Sequence, residues 1–115
     1  MSIGGIADLE MQRQFLIATG DIEARKDIGS DREKLMRDSP LKNAARINIP
    51  VLLVHGTKDW QVQVDHTDAM TDALGDQKKT CTTVLIKNAN HELQRKSDRM
   101  ALLKAVEDFL AENLR

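Results

Sequence analysis

The sequence lacks a second cysteine: Cys81 stands alone in 115 residues, so no intramolecular disulfide can form. That lone thiol is compatible with a reducing, cytoplasmic compartment. No apolar stretch approaches the ~20 residues that a membrane-spanning helix requires. No charge excess is present either. The chain has 17 basic and 18 acidic residues, a net charge of −1, and no basic cluster to draw nucleic acid or anionic lipid. The opening residues carry no charged leader and no secretory apolar core. Internal repeats and low-complexity segments are missing as well. With 41% hydrophobic and 30% charged residues, what remains is an ordinary globular composition, not a disordered tail. A chain of this length supports one domain, expected to bury roughly two thirds of its unfolded surface.

The apolar residues that are present alternate between strand and helix patterns. Ser2 to Ile6 reads as a strand fragment ending at Gly4-Gly5. From Asp8 to about Ala18, Leu9, Met11, Phe15 and Leu16 share a broad face among Glu10, Gln12 and Arg13, and Thr19-Gly20 stops the helix. Asp21 opens a second short helix, closed by Gly29. Ser30 or Asp31 caps a third, which ends before Pro40 because a pre-proline residue disfavours the α conformation. Val51-Leu52-Leu53-Val54 is a continuous β-rich run, the pattern of a strand buried on both faces. Asp65 caps a helix through Leu74 that turns Met70, Ala73 and Leu74 inward and leaves His66 on its surface; Gly75-Asp76 ends it. Lys78 to Ile86 leads into the last strand, where Cys81 is inert packing at a buried position. Ser97 begins the clearest helix, with Leu102, Leu103, Val106, Phe109, Leu110 and Leu114 on one face. This order implies right-handed crossovers and a parallel sheet covered on both sides. Three strands are few for that architecture, and the sheet reads as part of a larger one.

The loops after the last two strands hold the candidate chemistry. Asp59 follows Gly56 at the carboxyl end of one strand, and His91 follows Ile86 at the end of the next. Ligands and catalytic groups gather at that edge of open α/β sheets. Each residue also has a plain structural reading. Asp59 can form a turn, and His91 can be a solvated loop histidine. His55, ending its strand, reads as a packed, hydrogen-bonded residue more than a second base. Trp60 either lines the site entrance or is a satellite of the core. A metal site from His55, Asp59 and His66 fits no closed zinc pattern, and no cofactor is expected. A flavodoxin-like module would need a phosphate-binding loop, which is not found.

The stretch Pro50-Val51-Leu52-Leu53-Val54-His55-Gly56-Thr57-Lys58-Asp59-Trp60-Gln61-Val62 resembles the P-x-L-L-x-H-G-x-x-D-x-x-V signature of the prolyl oligopeptidase family of serine peptidases. Asn90-His91-Glu92-Leu93 lies where that family has G-H-G-F, with Asn90 and Glu92 in place of the glycines. Asp27 to Asp31 and Ser39-Pro40-Leu41 are similar to its helical segment after the nucleophile strand.

The resemblance implies a three-layer fold, a partial α/β-hydrolase sheet of about three parallel strands flanked by helices. Residues 1–115 would be one C-terminal portion of the catalytic domain. It implies Asp59 as triad acid, His91 as triad base and a peptide substrate in the complete enzyme. The nucleophile would come from a G-x-S-x-G elbow, which this sequence does not contain. Ser2-Ile3-Gly4 supplies only half of one, and Ser2 is not expected to be a nucleophile. The chain alone is therefore expected to be inactive, either as a segment of a hydrolase or as a non-catalytic remnant that self-associates. In the strand order of that fold, Ser2 to Ile6 is interior. An unpaired edge there is expected to produce a homodimer, by antiparallel pairing or by exchange of the helices of residues 8–39. The alternative is a monomer whose opening residues cover the edge.

Overall fold

The computed structural model of the protein describes residues 1–114. Strand β1 (Ser2–Ile3) is followed by helices α1 (Leu9–Thr19), α2 (Ile22–Ile28) and α3 (Arg32–Asp38), and by a 3-10 helix, Pro40–Arg46. Then come β2 (Val51–Gly56), α4 (Asp65–Asp76), β3 (Cys81–Ile86) and α5 (Lys96–Asn113). The strands form one three-stranded parallel sheet in the order β1-β2-β3. Registers run Ser2 to Leu53 on one side of β2 and Val51 to Cys81 through Gly56 to Ile86 on the other. This is the partial α/β-hydrolase sheet that the sequence leads one to expect.

Strand β2 is buried on both faces, as its unbroken apolar run requires. Leu52 and Val54 point to one side, where they meet Ile86, Ala89, Leu93 and the α5 residues Ala105 and Phe109. Leu53 points to the other side and packs with Ala7, Ala44 and the α4 residues Met70 and Leu74. Period-two alternation along one strand thus feeds two cores, and the sheet becomes the middle layer of three. Burying Leu52 alone is worth about 2 kcal/mol by its apolar area.

Helix ends follow local chemistry. Asp8 caps α1 by accepting from the backbone N–H groups of Glu10 and Met11, at 3.0 and 3.1 Å. Gly20, with φ of 76°, ends the helix in the left-handed region. Asp21 and Asp31 cap α2 and α3 in the same way.

Four expectations need correction. Asp65 does not cap α4: Val64 precedes the helix in an α conformation, and no side chain caps it. The helix does not stop at Leu74: it includes Gly75 and ends at Asp76, and Lys78 takes the left-handed turn at φ 55°. Cys81 is only half-buried. On α5 the inward face is Ala101, Leu102, Ala105, Val106 and Phe109, whereas Leu103 is 61% exposed and Leu110 and Leu114 also face out. Those three belong with Met100 to a second apolar stripe, centred about 140° around the helix from the first at 3.6 residues per turn, and Val106 at the border makes the two merge in a sequence reading.

Candidate active site

Loops after β2 and β3 meet because Gly56 has no side chain. A Cβ there would clash with the carbonyl oxygen of Ala89 and lie 2.8 Å from its carbonyl carbon. The contact is stitched by backbone bonds: Thr57 N–H donates to Ile86 O at 3.1 Å, and Lys58 N–H to Ala89 O at 2.9 Å. The Thr57 hydroxyl accepts from Asn88 N–H at 2.7 Å. Asn88 and Leu93 take left-handed conformations, φ 63° and 51°. Asn90 and Glu92 do not, so the glycines they replace are not required for this turn. Asparagine tolerates the left-handed region, but leucine is strained there; Leu93 stays because its side chain is buried in the α5 core.

This stitching brings Asp59 and His91 together. His91 Nδ1 lies 2.7 Å from Asp59 Oδ2. A carboxylate only accepts, so Nδ1 carries the hydrogen, and in the neutral ring Nε2 is left with a free lone pair. Asp59 Oδ1 accepts from the N–H groups of Gln61 and Val62 at 2.9 and 2.8 Å. One oxygen of Asp59 thus holds the turn and the other faces the histidine. Asp59 is buried and His91 is one-third exposed. Gly4, at φ 60°, closes the crevice above them: a Cβ there would come within 3.3 Å of His91 Nδ1 and 3.4 Å of Asp59 Oδ2.

His55 is buried beneath the acid. Its Nε2–H donates to Val62 O at 2.7 Å, because a carbonyl cannot donate, and Nδ1 accepts from the Thr67 hydroxyl at 2.8 Å. Asp59 Oδ2 lies 3.4 Å from the same Nε2. The packed reading of His55 is right. His66 overturns its expectation: it is 0% exposed, not on the surface of α4. Its Nδ1 faces Ala7 N and Asp8 N, and its Nε2 faces the Gln12 side chain. Burial holds His66 below its ordinary value near 6.5; His55 adds to this, while Asp8, Asp65 and Asp59 oppose it.

Sequence reasoning missed Gln12, which is buried and donates to Gln61 O at 2.9 Å. The signal was available. Gln12 sits between Leu9 and Leu16 at helical spacing, and His66 aligns with Met70 and Leu74. Ser2 lies away from the dyad, its hydroxyl against Gly5 in an apolar groove bordered by Ile6, Pro40, Ile49 and Leu53. Trp60 is 76% exposed on the rim of a groove shared with Gln12, Phe15 and Leu16, so it is not a core satellite. Among the described residues, no group of three or more His, Cys, Asp or Glu side chains could hold a metal ion. No helix among them is long and apolar enough to cross a membrane.

Known proteins share this fold over nearly the whole chain. An acylaminoacyl peptidase bound to Z-Gly-Gly-Phe-chloromethyl ketone superposes with a TM-score of 0.80 at 24% identity, over 95% of this chain and 19% of its own. The Pyrococcus horikoshii acylaminoacyl peptidase does so with a TM-score of 0.82 at 23% identity, over 96% and 19%. A Mycobacterium tuberculosis puromycin-hydrolyzing peptidase gives 0.72 at 26% identity, over 94% and 17%. In sequence, the uncharacterized peptidase YuxL of Bacillus subtilis (strain 168) is 35% identical over 75 residues, which are 65% of this chain and 11% of that protein. The chain thus spans about a tenth to a fifth of the length of these relatives. The model of the prolyl oligopeptidase family matches residues 1–115, from the first residue given to the last, and the chain belongs to that family.

Proposed function

We propose that this chain is the portion of a serine peptidase that supplies the acid and the base of a catalytic triad. The supporting observation is the 2.7 Å contact between His91 Nδ1 and Asp59 Oδ2 at the carboxyl edge of the sheet. Asp59 would hold His91 in the tautomer whose Nε2 takes a proton from a serine hydroxyl, and would stabilise the imidazolium that forms. His91 would then return the proton to the leaving amine of a peptide. The serine and the oxyanion-hole donors belong to polypeptide outside these residues, in the G-x-S-x-G elbow that the family uses. Without them no acyl-enzyme can form.

The 115-residue chain is therefore expected to leave peptide and ester substrates uncleaved and to resist serine-directed phosphonates. Stoichiometric labelling of Ser2 would overturn this. In a complete protein carrying the elbow, Asp59→Asn should lower kcat by about 10⁴-fold, the loss that a wrong histidine tautomer produces in a serine protease triad. An undiminished kcat would remove Asp59 from the mechanism.

A second reading, a non-catalytic module that self-associates, is favoured by one feature. The outer edge of β1 pairs with no other strand among the described residues, and an apolar groove runs beside it. The coding sequence just upstream separates the two readings. An elbow in frame supports the peptidase segment; a genuine start at Met1 supports the module.

A further inference from the structure

We infer that Gln12 and His66 are positioning residues for the Asp59–His91 pair, gripping the acid loop through Gln61, and that a proton added to His66 releases the grip. The inference rests on the reading of Asp59 and His91 as acid and base.

Hydrogen-bond polarity carries the argument. The backbone N–H groups of Ala7 and Asp8 can only donate, and both aim at His66 Nδ1, at 3.2 and 3.3 Å. Nδ1 therefore bears the lone pair, and the hydrogen of the neutral ring is on Nε2. Nε2–H donates to Gln12 Oε1 at 3.2 Å. That fixes the Gln12 amide, whose NH₂ group then donates to Gln61 O at 2.9 Å. Gln61 is the residue whose own N–H holds Asp59 Oδ1. The junction before α1, helix α4 and the acid loop are thus joined through two buried side chains, and the direction of every bond follows from one ring nitrogen.

A second proton on His66 would set N–H against N–H at Nδ1, with two donors and no acceptor. The ring must then turn away from Gln12, or the junction must part from the ring and shift α1, which Asp8 caps and which carries Gln12; in either case the His66–Gln12 bond that orients the amide is disturbed. The charged and titratable groups around the ring are Asp8 at the junction, His55 on β2, Asp65 on α4 and Asp59 in the loop. The three carboxylates favour the cation; burial and His55 oppose it, and burial is the largest influence. Release therefore belongs to acid conditions, below the ordinary histidine range.

The test is imidazole NMR on the chain itself. The Nδ1–H proton of His91, held by a carboxylate, should give a low-field resonance at neutral pH. On acidification it should be lost in step with protonation of His66, followed by the ring nitrogen shifts of His66. Gln12→Met should abolish the resonance at neutral pH while backbone amide dispersion is retained. His66→Gln offers the junction an acceptor and Gln12 a donor but does not titrate, so the resonance should persist where the unaltered chain has lost it. A resonance unchanged in Gln12→Met, or an acid loss unchanged in His66→Gln, overturns the inference. If His66→Gln does not fold, Gln12→Met decides alone. Absence of the resonance from the unaltered chain would overturn the dyad and this inference together. A resonance that responds to both substitutions, in a complete protein that never cleaves peptides, would support the grip and remove only the catalytic reading.

Discussion

Gly56 and His66 set two conditions on the site at the scale of single residues. Gly56→Ala drives a methyl group into the Ala89 carbonyl, which is backbone and cannot swing aside. The expected cost is about 1–3 kcal/mol, typical of overpacking, with the Asp59–His91 contact lengthened as the loops part. Urea denaturation reads the first effect and the His91 Nδ1–H resonance the second. His66 makes stability depend on pH. Folded, it holds its proton more weakly than in the unfolded chain, where the ordinary value is near 6.5. Acid therefore favours the unfolded state. The stability His66 contributes is complete above about 6.5 and is lost as pH falls through the lowered folded value. Denaturation midpoints measured between neutral and mildly acid pH should fall for the unaltered chain and flatten in His66→Gln. Parallel curves for the two proteins would contradict the buried, neutral state of His66.

At the scale of elements, α1 links local capping to the site, because Asp8 caps it and Gln12 lies one turn after that cap. Asp8→Ala removes the acceptor for two helix N–H groups and should cost about 1 kcal/mol, or about 4 °C in Tm. A thermal melt unchanged by the substitution would show that tertiary packing alone holds the helix start. The same scale explains what was legible in the sequence. β2 and β3 were readable because unbroken β-rich runs have few other solutions, and the Asp59 and His91 positions followed from the strand ends. The outward stripe of α5 was not readable. Leu103, Leu110 and Leu114 lie at helical spacing from Val106 of the inward face, and only a packed neighbour distinguishes the faces. His66 and Gln12 were missed for the opposite reason: polar residues on an apolar face look like its border until their hydrogen bonds are counted.

At the scale of the whole molecule the chain is a plate, 43 × 34 × 18 Å, with a radius of gyration of 14.8 Å. A compact domain of this length is expected near ~13 Å. The excess fits a thin sheet open at both sides, since among the described residues β1 and β3 each pair only with β2. The β1 side has the apolar groove, and Met1 and Ile3 are exposed there. We therefore propose a homodimer through that edge, and sedimentation at micromolar concentration should find about twice the 12.9 kDa of one chain. A clean monomer would sink the proposal. The edge strand has one more property. Gly4 continues β1, its N–H donating to Val54 O at 2.7 Å, and the same glycine roofs the acid and the histidine. Whatever pairs with this strand therefore stiffens the backbone that walls the dyad. In the proposed dimer, Ile3-Gly4 would couple pairing at the edge to the wall of the dyad.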